Sequence, residues 1–158
     1  MTEAEDILNE IFGKGLVPSV VTYNLLIDGW CKNGDTDQAV LWFSRMIDEE
    51  LEPNVITYTT LIDGLCNAGK SDEALNLWTE MEDKGCDTNR IAYMALIHGL
   101  CKCRKPDDAL VYFQKMEEQE MLPDSYIYRA LIDAFAANSN TDMAHEVLEK
   151  MIKRGTGS

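Results

Sequence analysis

The chain has 158 residues, 46% of them hydrophobic and 27% charged, the make-up of a globular protein with ample material for a core. No apolar run approaches the ~20 residues that a membrane helix needs, so no membrane contact is expected, and the opening MTEAEDILNE is acidic where a targeting segment would be basic. A formal net charge of −14 excludes strong long-range attraction to polyanions, because nonspecific nucleic-acid binding rests on clustered Lys and Arg.

Tyr23, Tyr58, Tyr93 and Tyr128 recur every 35 residues, as do Met46, Met81, Met116 and Met151. Repeats of that length are supersecondary units that bury their apolar faces by stacking on neighbours. In chain order, residues 1–19 fit the second helix and linker of a partial unit. Full units follow at 20–54, 55–89 and 90–124, then a truncated unit at 125–154, with 155–158 reading as an appended tail. Function is expected in what differs between the units.

Within 20–54, Tyr23, Leu26, Ile27 and Trp30 set the amphipathic spacing of one helix, and Ala39, Trp42, Phe43 and Met46 that of a second. In 55–89 the stripes are Tyr58, Leu61, Ile62, Leu65 and Ala74, Leu77, Trp78, Met81. In 90–124 they are Tyr93, Leu96, Ile97, Leu100 and Ala109, Tyr112, Phe113, Met116. Gly34 and Gly69 stand where a helix can end in a left-handed residue. Ser71, Asp72 and Asp107 suit the start of the next helix, and Pro106 an opening position there. Pro18, Pro53 and Pro123 separate units, each followed by a capping residue, Ser19, Asn54 or Asp124. The predicted class is all-α: a solenoid of antiparallel helix-turn-helix hairpins, right-handed by analogy with other helical repeats, with the first helix of each hairpin inside and the second outside.

Cys31, Cys66 and Cys101 hold the same place in successive units, where small apolar side chains pack well, and read as reduced core thiols. No CxxC occurs, and His98 and His145 lie far apart, so neither a metal nor another cofactor is expected. Catalysis has little support. Neither histidine has a triad companion in sequence, and Asp28, Asp63 and Asp133 repeat one per unit instead of pairing, so the chain reads as no enzyme.

The first helix of each unit carries another stripe, distinct from the tyrosine face. It runs Val21, Asn24, Asp28, Lys32, then Ile56, Thr59, Asp63, Asn67, then Ile91, Met94, His98, Lys102, and last Tyr126, Arg129, Asp133, Ala137. Its identities change while the framework stays nearly constant. An apolar row beside varying polar positions suits a binding groove.

VVTYNLLIDGWCKNGDTDQAVLWFSRMIDEELEPN and VITYTTLIDGLCNAGKSDEALNLWTEMEDKGCDTN resemble pentatricopeptide repeats of the pure type, abundant in plant organelles. Tetratricopeptide repeats, with a period of about 34 residues and a different signature, fit less well. The resemblance implies that each repeat reads one base of single-stranded RNA. It assigns base reading to Asn24 with Asn54, Thr59 with Asn89 and Met94 with Asp124. Val21, Ile56, Ile91 and Tyr126 would hold bases between them, and Lys32 and Lys102 would meet the RNA backbone.

By the family's code, Asn with Asn favours cytosine and Thr with Asn favours adenine. Met94 departs from the usual Asn, Ser or Thr, and Arg129 stands at the reading position of the truncated unit. Asn67 and Ala137 replace the backbone lysine, and Arg90 and Ser125 the apolar opening residue. The implied function is sequence-specific RNA binding within an organellar RNA-processing or RNA-stabilising factor, in the mitochondrion or chloroplast. At ~1–3 kcal/mol per base, two or three bases scarcely offset the cost of association, so this segment alone is expected to bind weakly. The acidic charge supports the alternative of a protein-interaction module, in which a basic partner, or a second copy forming a homodimer, docks on the uncapped ends.

Overall fold

The computed structural model describes residues 18–156, together with Asp6, 9–10 and 13–15, so the partial unit expected at 1–19 lies largely outside the described residues. Among the described residues from 18 onwards, eight helices follow in order: α1 (Val20–Lys32), α2 (Thr36–Asp48), α3 (Val55–Asn67), α4 (Ser71–Asp83), α5 (Arg90–Lys102), α6 (Pro106–Glu118), α7 (Ser125–Ala137) and α8 (Thr141–Thr156). No strand occurs among the described residues. The all-α class of helical hairpins is the one the periodicity predicts.

Two compact units, Met1–Asp87 and Thr88–Ser158, make up the chain. In the first, α1 packs on α2 and α3, and α3 also meets α2 and α4. Tyr23, Leu26, Ile27, Trp42, Phe43, Met46, Tyr58, Leu61, Ile62, Trp78 and Met81 are buried there, each large side chain contributing about 1.5–3 kcal/mol as it leaves water. The rings of Phe43 and Tyr58 meet edge-on at 5.6 Å. In the second unit α5 packs on α6 and α7, and α7 on α6 and α8. Phe113 and Tyr128 repeat the edge-on contact at 5.4 Å. Leu77 and Tyr112, assigned to the buried stripes, are only half-buried; Lys115 instead covers the Tyr112 ring at 5.0 Å.

Each turn is closed in the same way. At the end of α1 the Asp35 amide bonds the Trp30 carbonyl at 3.0 Å and the Gly34 amide that of Cys31 at 3.0 Å, with Gly34 left-handed at φ 82°. This double bond satisfies two carbonyls that a helix end would otherwise orphan. Lys70 to Leu65, Lys105 to Leu100 and Asn140 to Phe135 repeat it after α3, α5 and α7. Leu51 to Met46, Cys86 to Met81 and Met121 to Met116 repeat it after α2, α4 and α6.

That register fixes where the following helices start, and it differs from the local cap preference. Asp35 caps α2 by accepting the Gln38 amide at 3.1 Å. At the equivalent places Lys70 and Lys105 precede α4 and α6 without a side-chain cap bond, and Ser71 is the buried first residue of α4 instead of its cap. The Lys70 ammonium reaches back to Thr36 Oγ1 at 2.8 Å. At the C-terminal end α8 runs through Gly155 and Thr156. Each residue added to an existing helix gains a backbone bond without a new nucleation cost.

Candidate nucleic-acid interface

The odd-numbered helices begin with an exposed apolar residue one position in from the N-terminus. Val21, Ile56, Ile91 and Tyr126 are 55–68% exposed, although each adjoins the buried face through the next residues along its helix. Water-facing apolar side chains at one repeated position are unusual for a purely structural helix and offer flat contact surface. Further along α1, Lys32 is held by Asp28 at 2.9 Å, and that bond raises the pKa of the ammonium. Asp63 and Asn67 on α3 are exposed.

Between α1 and α3 the polar residues form one connected group. The Asn54 Oδ1 caps α3 by accepting the Thr57 amide at 3.0 Å, and the Asn54 amide in turn donates to Thr57 Oγ1 at 3.1 Å. Asn24 Nδ2 donates to the same Asn54 Oδ1 at 3.3 Å. Thr57, itself buried, donates its hydroxyl proton to Asn24 Oδ1 at 2.5 Å. The structure therefore brings Asn24 and Asn54 into direct contact, with Thr57 beneath them.

The other reading positions are placed differently. Thr59 is half-buried on α3. Asn89 caps α5, accepting the Ala92 amide at 2.8 Å. Asp124 caps α7 by accepting the Ile127 amide at 2.9 Å, and Met94 is half-buried on α5 with no charged or amide group to offer. Arg90 Nε donates to the Leu122 carbonyl at 2.6 Å, tying the start of α5 to the segment before Pro123.

A cleft of about 380 Å³ lies between α5 and α7, lined by His98, Lys102, Arg104, Tyr126, Arg129 and Asp133 among others. The Tyr126 ring leans on His98 with centroids 4.9 Å apart, and its hydroxyl lies 3.1 Å from Nε2. Arg129 is 3.9 Å from Asp133. Three cations against one carboxylate give this cleft a local basic excess in an acidic chain.

None of the five cysteines is joined in a disulfide. Burial pushes the Cys31 and Cys101 thiols up to about 11 and about 12, so they stay neutral and poor as nucleophiles at physiological pH. Among the described residues no group of His, Cys, Asp and Glu is placed to hold a metal ion, and no helix is long and apolar enough to cross a membrane.

Thr57 is the member of this surface that residue-type reasoning misses. The signal for it is the spacing Asn54-x-x-Thr57, matched by Ser19-x-x-Thr22, in which the third helical residue bonds back to the cap. Asn89 and Asp124 are followed at that spacing by Ala92 and Ile127, which have no hydroxyl.

The profile of the PPR repeat family matches residues 18–67, 53–101 and 88–137, and that of the single PPR repeat matches 126–156. A curated pentatricopeptide repeat-containing protein of Arabidopsis thaliana is 54% identical over 37 residues, 23% of this chain and 8% of that protein. The crystal structure of the pentatricopeptide repeat protein PPR10 from maize is 24% identical over 96% of this chain and 22% of its own, with a TM-score of 0.87. PPR10 in complex with an 18-nt psaJ RNA element superposes with a TM-score of 0.80 over the same shares. The PPR domain of A. thaliana protein-only RNase P 1, in complex with tRNA, is 22% identical, with a TM-score of 0.77 over 94% of this chain and 79% of that one. At these identities the structural likeness shows the fold. The chain spans less than a quarter of the curated relative and of PPR10.

Proposed function

Because the chain belongs to the pentatricopeptide repeat family, we propose that it is a single-stranded RNA-binding module that reads one base per repeat. The reading rests on one observation above the others: Asn24 and Asn54, thirty positions apart in sequence, share a hydrogen bond beside exposed Val21 and Ile56. Amide groups held at an apolar ledge can meet the edge of a base whose faces stack on the aliphatic side chains. In this scheme the repeats are 20–54, 55–89, 90–124 and 125–154. Asn24 with Asn54 takes cytosine and Thr59 with Asn89 takes adenine. Met94 with Asp124 reads weakly, Ile91 and Tyr126 hold bases in the same way within the second unit, and Lys32 and Lys102 approach the backbone. That PPR10 and the PPR domain of RNase P 1 were crystallised with RNA supports this reading. It extends to a longer organellar factor, mitochondrial or chloroplast, that processes or stabilises its transcript, with this segment supplying part of the recognition.

Affinity of the segment alone is set by two complete readers. With ~1–3 kcal/mol per base, and the cost of association set against it, its Kd for a CA-containing RNA lies above about 1 µM, the equivalent of roughly −8 kcal/mol. Fluorescence titrations with short RNAs in which C becomes U, or A becomes G, test the assignment. Asn24→Ala should erase the first preference and Thr59→Ala the second; preferences that survive both substitutions would refute it.

One observation favours a second reading, docking of a basic protein segment. A groove of about 440 Å³ beside α2 and α4 is lined by exposed Val40 and half-buried Leu77 over the buried Phe43, together with Asp37, Glu73 and Glu80. Charge reversal at Asp37 and Glu73 would weaken such docking and leave RNA selectivity unchanged.

A further inference from the structure

The amide pair between α1 and α3 presents a chosen hydrogen-bonding face, and one residue outside the reading positions makes that choice. Thr57 is buried, and its Oγ1 accepts the Asn54 amide at 3.1 Å. The hydroxyl has a single proton to give. Asn24 Oδ1 stands at 2.5 Å and Asn54 Oδ1 at 3.1 Å, so the shorter contact takes it. The Thr57 amide independently fixes the Asn54 oxygen as the capping atom, at 3.0 Å. If the Asn24 amide were turned over, its oxygen would face the Asn54 oxygen, acceptor against acceptor, and the Thr57 proton would exchange its short contact for the longer one to Asn54 Oδ1 at 3.1 Å. Two bonds from one threonine therefore settle the orientation of both asparagines.

The consequence is an unequal face. The Asn54 oxygen is used by the Thr57 and Asn24 donors, leaving both protons of Asn54 Nδ2 facing outwards. Asn24 keeps one Nδ2 proton and one lone pair on an oxygen already bonded to Thr57. Three donors against one acceptor suit a base edge with two adjacent acceptors. Cytosine offers ring N3 and O2 side by side, whereas the uracil N3 carries a proton that opposes these donors.

We infer that Thr57 is a positioning residue for base choice: its hydroxyl holds the Asn24–Asn54 pair in the donor-rich orientation that selects cytosine over uracil. The inference rests on the base-reading proposal above. It also separates this pair from the others, since the equivalent positions after Asn89 and Asp124 are Ala92 and Ile127.

The test compares the wild-type chain with Thr57→Val and Thr57→Ser, using short RNAs that differ only in C or U at the first read base, titrated by NMR so that weak binding is measurable. The wild type should prefer C by about tenfold, the discrimination of a good two-bond contact. Valine keeps the shape and the Thr57 amide's bond to Asn54 Oδ1, loses the Asn54 amide's bond to Oγ1 along with the hydroxyl proton, and should bring the ratio below about threefold; serine should restore it. The preference for A over G at the Thr59 base should hold in all three proteins. A Thr57→Val protein that keeps the C preference overturns the inference while leaving base reading intact, and loss of both preferences together would show a structural role only. Without RNA, the Asn24 side-chain amide resonances should shift in Thr57→Val and return in Thr57→Ser; unshifted resonances overturn the positioning itself. A wild type that binds none of the RNAs overturns the base-reading proposal, and the selectivity half of the inference with it.

Discussion

Four helix ends are closed by residues unsuited to their backbone, and replacing them should raise stability by a calculable amount. Glu50, Arg104, Glu120 and Ser139 are left-handed, with φ between 59° and 61°. They stand in the turns where Gly85, Gly34 and Gly69 adopt the same conformation elsewhere. A side chain at such φ costs about 1–2 kcal/mol, and glycine returns about 0.5–1 kcal/mol of that in unfolded-state entropy, so each replacement gains roughly 0.5–1 kcal/mol. The sites lie in separate turns and should add, giving about 2–4 kcal/mol for the quadruple variant. At roughly 3 °C per kcal/mol for a chain of this size, Tm should rise by about 6–12 °C in a circular-dichroism melt. Three of the four sites fall in Thr88–Ser158, so amide exchange should slow more there than in Met1–Asp87. An unchanged or lower Tm for the quadruple variant would refute the strain argument.

Gly64→Ala should destabilise despite alanine's higher helix propensity. The added Cβ would lie 2.8 Å from Cys31 Cβ and in collision with its Sγ, and overpacking of about 1–3 kcal/mol outweighs a gain of about 1 kcal/mol; a urea midpoint that rises would contradict this. Alkaline pH should also destabilise the fold. The Cys31 and Cys101 thiols, ordinarily near 9, and the Tyr58 hydroxyl, ordinarily near 10, are raised by burial to about 11, 12 and 12. The native state therefore favours their neutral forms, so stability is full below pH 9 and falls as pH climbs through 9 towards 12; a flat urea midpoint across that window would count against it. Salt should act weakly on RNA binding. With Lys32 and Lys102 as the two backbone contacts, log affinity against log salt should slope by about −1.4, and a slope beyond about −4 would mean an electrostatic interface elsewhere.

The fold is legible in the sequence because a strict period states the same hairpin several times. Tyr23 and its equivalents mark the buried face, and Gly34 and Gly69 the turns. Lys70 and Lys105 at helix caps are not legible, because local preference favours Ser71 and Asp107 while the closure of the preceding turn decides the register. Leu77 and Tyr112 mislead for a related reason: their spacing fits the stripe, but they sit at its flank, where burial depends on the neighbouring helix. At the surface, Asn24 and Asn54 stand out by their place in the repeat frame. Their mutual bond and its control by Thr57 are not readable there, since both depend on distances between helices that no spacing rule contains.

Site-resolved RNA binding tests the central claim most directly. An amide NMR titration of this chain with a short CA-containing RNA should perturb Asn24, Asn54 and Thr59, together with Val21 and Ile56. Changing C to U should diminish the response at Asn24 and Asn54 first. Perturbations confined to α2 and α4, or a response at the α1–α3 surface that is the same for every RNA sequence, would contradict the account.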